Sequence, residues 1–120
     1  MKIGFLGTGH ITSSVIEGIF KSKLKIKKIY VSPRNRLIAT RLRRKYKKVI
    51  VAKDNQELAN QSKWVFLAVT PKVGKKILNK INFANDTKII SFISTINLES
   101  LKKITKKKML LELYLYHSLG

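Results

Sequence analysis

The 120-residue chain has no cysteine, which removes disulfide staples and thiolate metal sites together. It has only two histidines, His10 and His117, too far apart in sequence to suggest a zinc site. Long apolar runs are also missing. No stretch approaches the roughly 20 apolar residues of a membrane-spanning helix. The apolar start after Met1-Lys2 is broken by Thr8, Gly9, His10 and Thr12 to Ser14 before a secretion signal can form. The expected location is therefore the cytoplasm, with no membrane partner. No internal repeat, low-complexity linker or second domain interrupts the chain. A chain of this length buries roughly two-thirds of its unfolded surface, so one packed core is feasible without covalent help.

Acidic residues are scarce. Six Asp and Glu stand against 26 Lys and Arg, for a formal charge of +20. Such charge attracts phosphate polyanions and favours weak, non-specific nucleic-acid binding at low salt. The basic residues are nevertheless spread along almost the whole chain, and most are lysine. Lys72, Lys75, Lys76 and Lys80 fall at expected solvent positions of a helix. No Arg-rich recognition helix or aromatic single-strand platform is apparent. Abundant Lys, Ile and Asn suit A/T-rich coding DNA, so a specific nucleic-acid partner is not expected.

The most informative stretch is Met1 to Phe20. A short apolar run, Ile3 to Leu6, meets Gly7-Thr8-Gly9, and apolar residues return at Ile11, Val15, Ile16 and Ile19. This spacing is a strand, a glycine turn and one face of a helix. Gly7 lets the chain leave the strand through a tight turn, and Gly9 lets a pyrophosphate approach bare backbone. The helix that follows offers unpaired N–H groups and the positive end of its dipole. Thr12 stands where the full dinucleotide fingerprint has a third Gly or Ala, and its bulk is expected to loosen the helix–strand contact. His10 is a candidate cofactor contact, with a capping or solvent role as the alternative.

Further strands are predicted at residues 27–32, 49–52, 63–69 and 88–93, with helices at about 35–46, after Asp54, from Pro71 to about Ile81, and at 97–101. The second helix is expected to turn Leu37, Ile38, Leu42 and Tyr46 inward. Asp54 and Glu57 have the spacing of a capping box. Residues 63–69 form a near-continuous apolar run, as in a central parallel strand covered on both faces. Pro71 suits the first turn of its helix. Strands alternating with helices imply a single-domain α/β fold, a Rossmann-like doubly wound parallel sheet of order 3-2-1-4-5.

In that topology the carboxyl ends of strands one, two and four share a crevice. An acid at the end of the second strand would accept hydrogen bonds from a free ribose 2′-hydroxyl and repel a 2′-phosphate. No acid stands between Gly18 and Lys53; Ser32, Arg34, Asn35 and Arg36 occupy the position. Their hydroxyl and guanidinium groups suit a phosphate, so NADP (as NADPH) is expected over NAD. Ala68, Val69, Thr70 and Pro71 would lie beside the nicotinamide half. Ser91, Ser94 and Thr95 add hydroxyls nearby. No general acid, base or nucleophile stands out, so the catalytic residue is left open. No metal site is expected.

These pieces resemble the amino-terminal NADP-binding domain of the pyrroline-5-carboxylate reductase family. The match runs through Ile3-Gly4-Phe5-Leu6-Gly7-Thr8-Gly9-His10-Ile11-Thr12, Glu17-Gly18-Ile19, Ser32-Pro33-Arg34 and Leu67-Ala68-Val69-Thr70-Pro71. Thr70 replaces a family lysine, and Ile90 to Ile96 keeps half of a family segment while losing its Ala-Gly pair. The resemblance implies cofactor contacts from Gly7, Thr8, Gly9, His10, Ile11, Ser32, Arg34, Arg36 and residues 68–71. It also implies reduction of 1-pyrroline-5-carboxylate to proline by NADPH, a step of proline biosynthesis. Family members continue into a helical domain that dimerises and forms most of the substrate pocket. This chain is accordingly expected to be the cofactor half, inactive alone. The alternatives are a deazaflavin-dependent NADP reductase with the same domain, or a non-catalytic nucleotide- or nucleic-acid-binding basic module.

The resemblance covers residues 1–108, and residues 109–120 form a non-family tail. Leu111, Leu113 and Leu115 alternate with polar residues there, as in a divergent sixth strand. A one-base frameshift within Lys106 to Lys108 is the sharper expectation. With A/T-leaning codons, the shifted text reads Asn-Val-Ile-Arg-Ala-Ile-Pro-Leu-Pro, close to the strand the family has at this point. An open frame downstream would then encode the helical domain.

Overall fold

The computed structural model describes residues 1–69 and 71–91. Along them run β1 (Lys2–Leu6), α1 (His10–Lys21), β2 (Lys28–Val31), α2 (Arg36–Lys45), β3 (Val49–Val51), α3 (Asn55–Gln61), β4 (Trp64–Leu67), α4 (Pro71–Lys80) and β5 (Lys88–Ser91). All four strand pairings are parallel, in the order β3-β2-β1-β4-β5. Ile3 lies between Ile29 and Trp64, and Phe5 between Val31 and Phe66. The chain thus winds outward from β1 in one direction and then in the other. That reversal opens a crevice at the carboxyl ends of β1, β2 and β4.

Strand side chains alternate between two cores. Ile3, Phe5, Ile29, Val31 and Val49 pack with Ile16 of α1 and with Ala39 and Leu42 of α2. Leu6, Tyr30, Val65 and Leu67 pack with Leu58 of α3 and Leu78 of α4 on the opposite face. Gly4 allows the close seating of α3. A Cβ there would collide with the Ser62 hydroxyl and lie 2.6 Å from Leu58 Cδ2.

The strands are shorter than their apolar runs because they end where the ladder does, not where hydropathy does. Hydrogen bonds still continue past β4, with Lys63 N donating to Lys2 O at 3.0 Å and Ala68 N to Leu6 O at 2.8 Å. As predicted, β4 is internal to the sheet, but its cover is uneven. Val65 and Leu67 are buried, whereas Trp64 and Phe66 are half-buried. Phe66 stacks on Phe5 with ring centroids 4.8 Å apart, and Lys88 Nζ lies 5.0 Å from the Trp64 ring centre.

Two helix faces differ from expectation. Ile11 is 49% exposed, and Thr12 takes the buried position in the first turn of α1. Leu37 is 81% exposed, while Ala39 joins Leu42 inside. Asn35 is the cap of α2 rather than a helical residue, its side chain accepting from Ile38 N at 3.3 Å. Successive helical residues are about 100° apart. With Ile38 and Leu42 turned to the sheet, Leu37 points away. Tyr46 stacks on Phe20, centroids 4.3 Å apart, and ties the end of α2 to α1.

The capping box of α3 is present in modified form. Glu57 N donates to Asp54 Oδ1 at 2.8 Å, and Glu57 Oε1 accepts from Lys53 N, one residue before the cap, at 3.1 Å. Lys72, Lys75, Lys76 and Lys80 are exposed on α4 as expected. Thr70, Ser94, Thr95, the helix expected at 97–101 and the tail at 109–120 lie outside the described residues.

Candidate cofactor site

The glycine turn between β1 and α1 contains two glycines held for different reasons. Gly7 has φ +99°, a conformation that side chains other than glycine resist. A Cβ there would strike Ala68 O and Val69 Cγ1 at the end of β4. Gly9 has an ordinary extended backbone, φ −134° and ψ −160°. A Cβ on Gly9 would meet nothing within 4 Å among the described residues. Neither backbone nor packing demands glycine at position 9, and a larger side chain would fill the open space above the head of α1.

That head is suited to an anion. Gly9 caps α1 without a side-chain hydrogen bond, and no acid occupies the first turn. The first intrahelical bond runs from Ser13 N to Gly9 O at 3.0 Å, so the N–H groups before Ser13 point out of the helix. The dipole adds a partial positive charge at the same place.

Two threonines brace the turn. Thr12 is fully buried, and its hydroxyl donates to Gly7 O at 2.6 Å. The expected loosening is therefore absent, because the extra atoms complete a hydrogen bond instead of pushing α1 away. Thr8 Oγ1 donates to Ser32 O at 2.7 Å, joining the turn to the end of β2. Ser32 is only 2% exposed, and its own hydroxyl donates to Asn55 Oδ1 at 3.1 Å. Ser32 fixes the backbone that carries Arg34, and its hydroxyl is directed inward.

A cavity of about 680 Å³ opens at this end of the sheet. Gly7 and Thr8 from the turn, Arg34 from the loop after β2, Arg36 from the start of α2, and Ala68 and Val69 from the end of β4 all line it. The topology thus brings together six of the residues singled out from the sequence. Gly9, His10 and Ile11 belong to the adjacent head of α1, where His10 and Ile11 are exposed. Pro71 is the first residue of α4.

Asn35, expected beside the arginines at the end of β2, also lines the cavity, and so do Leu37 and Val73, which were not expected there. The sequence pattern puts Leu37 on the inner face of its helix and Val73 inside the helix that starts at Pro71. The available signal was positional, since Asn35 and Leu37 flank Arg36, and Val73 falls in the first turn of α4. A second cavity of about 450 Å³ adjoins Arg34, between Asn55 of α3 and Lys76 and Lys80 of α4. Asp54 is its acidic lining residue, and one carboxylate oxygen of Asp54 caps α3.

The electrostatic environment is therefore cationic. Glu17, on the solvent side of α1, is paired with Lys21 at 3.1 Å. The hydrogen bond and charge of Lys21 hold its carboxyl below the ordinary carboxylate range. Among the described residues, no group of three or more His, Asp or Glu could hold a metal ion, and no helix is long and apolar enough to cross a membrane.

Comparison with known proteins agrees with this geometry. The family model for NADP oxidoreductase, coenzyme F420-dependent, matches residues 2–97. The structure of 1-pyrroline-5-carboxylate reductase from Streptococcus pyogenes is similar with a TM-score of 0.71 and 27% identity, covering 87% of this chain and 38% of that one. Pyrroline carboxylate reductase from Plasmodium falciparum, solved with NADP bound, has a TM-score of 0.74 and 22% identity over 91% of this chain and 40% of its own. Prephenate dehydrogenase from A. aeolicus, solved with NAD+ and hydroxyphenyl propionate, reaches a TM-score of 0.76 at 16% identity, with coverage of 91% and 40%. At their identities, the last two likenesses carry the fold alone. No curated protein sequence matches the chain. The chain spans 38–40% of the length of these three solved proteins. With its glycine turn, its basic crevice and a family match running from residue 2 to residue 97, the chain belongs to the family of NADP oxidoreductases, coenzyme F420-dependent, and carries its NADP-binding Rossmann domain.

Proposed function

We propose that the chain is the cofactor half of a reductase of the pyrroline-5-carboxylate type, which uses NADPH and acts in the cytoplasm. The observation that carries the cofactor assignment is the joint lining of one cavity by Gly7, Thr8, Arg34 and Arg36, with no acid at the end of β2. The pyrophosphate is assigned to the open space over Gly9, held by N–H groups of His10 and Ile11. Arg34 and Arg36 contact the 2′-phosphate, each good charge-assisted bond contributing roughly 1.5–3 kcal/mol. Ser32 acts behind them as a positioning residue. Ala68, Val69, Thr70 and Pro71 border the nicotinamide half. When bound, NADPH supplies the hydride; this chain binds and orients it.

The motif resemblance and the 27%-identical reductase from Streptococcus pyogenes support 1-pyrroline-5-carboxylate as substrate. Turnover is assigned to the chain only together with a helical dimerisation and substrate domain like that of the resembling family. A second reading follows from the family description, in which coenzyme F420, a deazaflavin, would be the partner of the NADP that this cavity would hold.

Calorimetric titration tests the cofactor reading. NADPH should bind more tightly than NADH, and Arg34→Ala with Arg36→Ala should erase the difference. Equal affinities in the unmutated chain would sink the assignment. With a helical domain added in trans, loss of NADPH absorbance on adding 1-pyrroline-5-carboxylate supports the first substrate reading, and gain of NADPH absorbance on adding reduced F420 to NADP+ supports the second.

A further inference from the structure

Arg34 and Arg36 line the cofactor cavity, whereas Arg41, Arg43 and Arg44 do not. All five arginines of the chain fall between residues 34 and 44, whereas lysines are spread along its length. A general bias toward lysine codons does not gather guanidinium groups on one element. Four of the five lie on α2, so an Arg-rich helix is present where none was expected.

The structure also shows how these groups are displayed. Arg36, Leu37, Thr40, Arg41, Arg44 and Lys45 line one groove along α2. They form two adjacent rows, 36-40-44 and 37-41-45, with successive members one turn or about 6 Å apart. Arg36, Arg41, Arg44 and Lys45 are all exposed, and among the described residues no acid lines the groove.

Helix stability does not explain this pattern. Cations in the last turn favour the helix dipole, which accounts for Arg43, Arg44 and Lys45. Arg36 in the first turn is at the unfavourable end, and Arg41 repels Arg44 and Lys45 at spacings of three and four. A polyanion would relieve that repulsion.

Membrane binding fits poorly. A helix that lies on a bilayer inserts an apolar face. The apolar face of α2, with Ala39 and Leu42 buried, is already packed on the sheet. The three guanidinium forks of Arg36, Arg41 and Arg44 and the ammonium of Lys45, displayed along about two turns of one helix face, match phosphate groups spaced along a strand.

We propose that the solvent face of α2 binds the phosphodiester backbone of nucleic acid. Because Arg36 and Leu37 line both this groove and the cofactor cavity, nucleic acid and NADPH exclude each other. The exclusion rests on the NADPH reading above; the backbone contact does not.

The test is fluorescence anisotropy with the 120-residue chain, using a labelled 20-base RNA strand and a labelled 20-base-pair DNA duplex between 50 and 200 mM salt. Four phosphate contacts predict a slope of log affinity against log salt of about −3 to −4 on duplex. Arg41→Gln with Arg44→Gln should weaken binding at least tenfold and reduce the slope by about 2, leaving NADPH affinity unchanged. Lys23→Gln with Lys25→Gln removes the same charge from the segment between α1 and β2, and should change binding less than twofold. Equal loss in both double variants would show that only diffuse charge acts, and would overturn the proposal. Absence of binding to both probes, or tighter binding to phosphatidylserine vesicles, would also overturn it. Saturating NADPH should displace the bound strand. NADPH that binds by calorimetry without displacing nucleic acid refutes the exclusion; failure of NADPH to bind at all refutes the cofactor reading and leaves the α2 comparison standing.

Discussion

Replacing Gly9 by valine separates ligand binding from folding at the glycine turn. The extended backbone of Gly9 accepts a β-branched residue without strain, and a Cβ there meets no atom of the described residues within 4 Å. The folding cost is confined to a poorer helix cap, about 1 kcal/mol. A domain with ordinary stability of about 5–15 kcal/mol remains folded. The valine methyls nevertheless occupy the space assigned to the pyrophosphate. Losing two charge-assisted contacts, at roughly 1.5–3 kcal/mol each, weakens NADPH binding by about 3–6 kcal/mol, or roughly 10²- to 10⁴-fold. Calorimetry measures the affinity, while circular dichroism with urea unfolding measures the fold. Unchanged affinity in a folded Gly9→Val chain would show that the site lies elsewhere. Loss of folding would refute the view that glycine is not structurally required there, and Gly9→Ala would then show how much volume the position tolerates.

Gly7→Ala should behave in the opposite way, losing roughly 2–5 kcal/mol of stability from positive-φ strain and overlap with Ala68 and Val69, measured by urea unfolding. Thr12→Ala should destabilise by about 1–3 kcal/mol, because it leaves the buried Gly7 carbonyl without the 2.6 Å donor; a gain in stability would restore the idea that Thr12 is an oversized substitute. Ser62→Ala should raise stability by about 1 kcal/mol, since the Ser62 hydroxyl is buried and has no hydrogen-bond partner among the described residues. No change, or a loss, on urea unfolding would indicate that the hydroxyl is satisfied in solution.

The element order and the sheet order were legible in the sequence because they depend on periodicity, turn residues and the handedness of parallel connections. Gly7, Pro33, Asp54 and Pro71 mark boundaries through backbone chemistry that acts within a few residues. The basic end of β2 was legible for a similar reason, since topology places it beside the turn once the strands are known. Burial was less legible. Leu37 and Ile38 are equally apolar, but only the seating of α2 on the sheet decides which is turned inward. Thr12 departs from a glycine pattern in sequence, yet in the structure it is a buried donor to Gly7. Ser32 reads as a phosphate ligand until Asn55, 23 residues away, takes its hydroxyl inside. Local residue chemistry thus determined the elements, their order and the class of ligand. Which side chains face the cavity, which brace it and which gather on the outside of α2 was decided by tertiary structure, because contacts between distant residues set the rotation of each helix and leave each polar group either paired or presented to solvent.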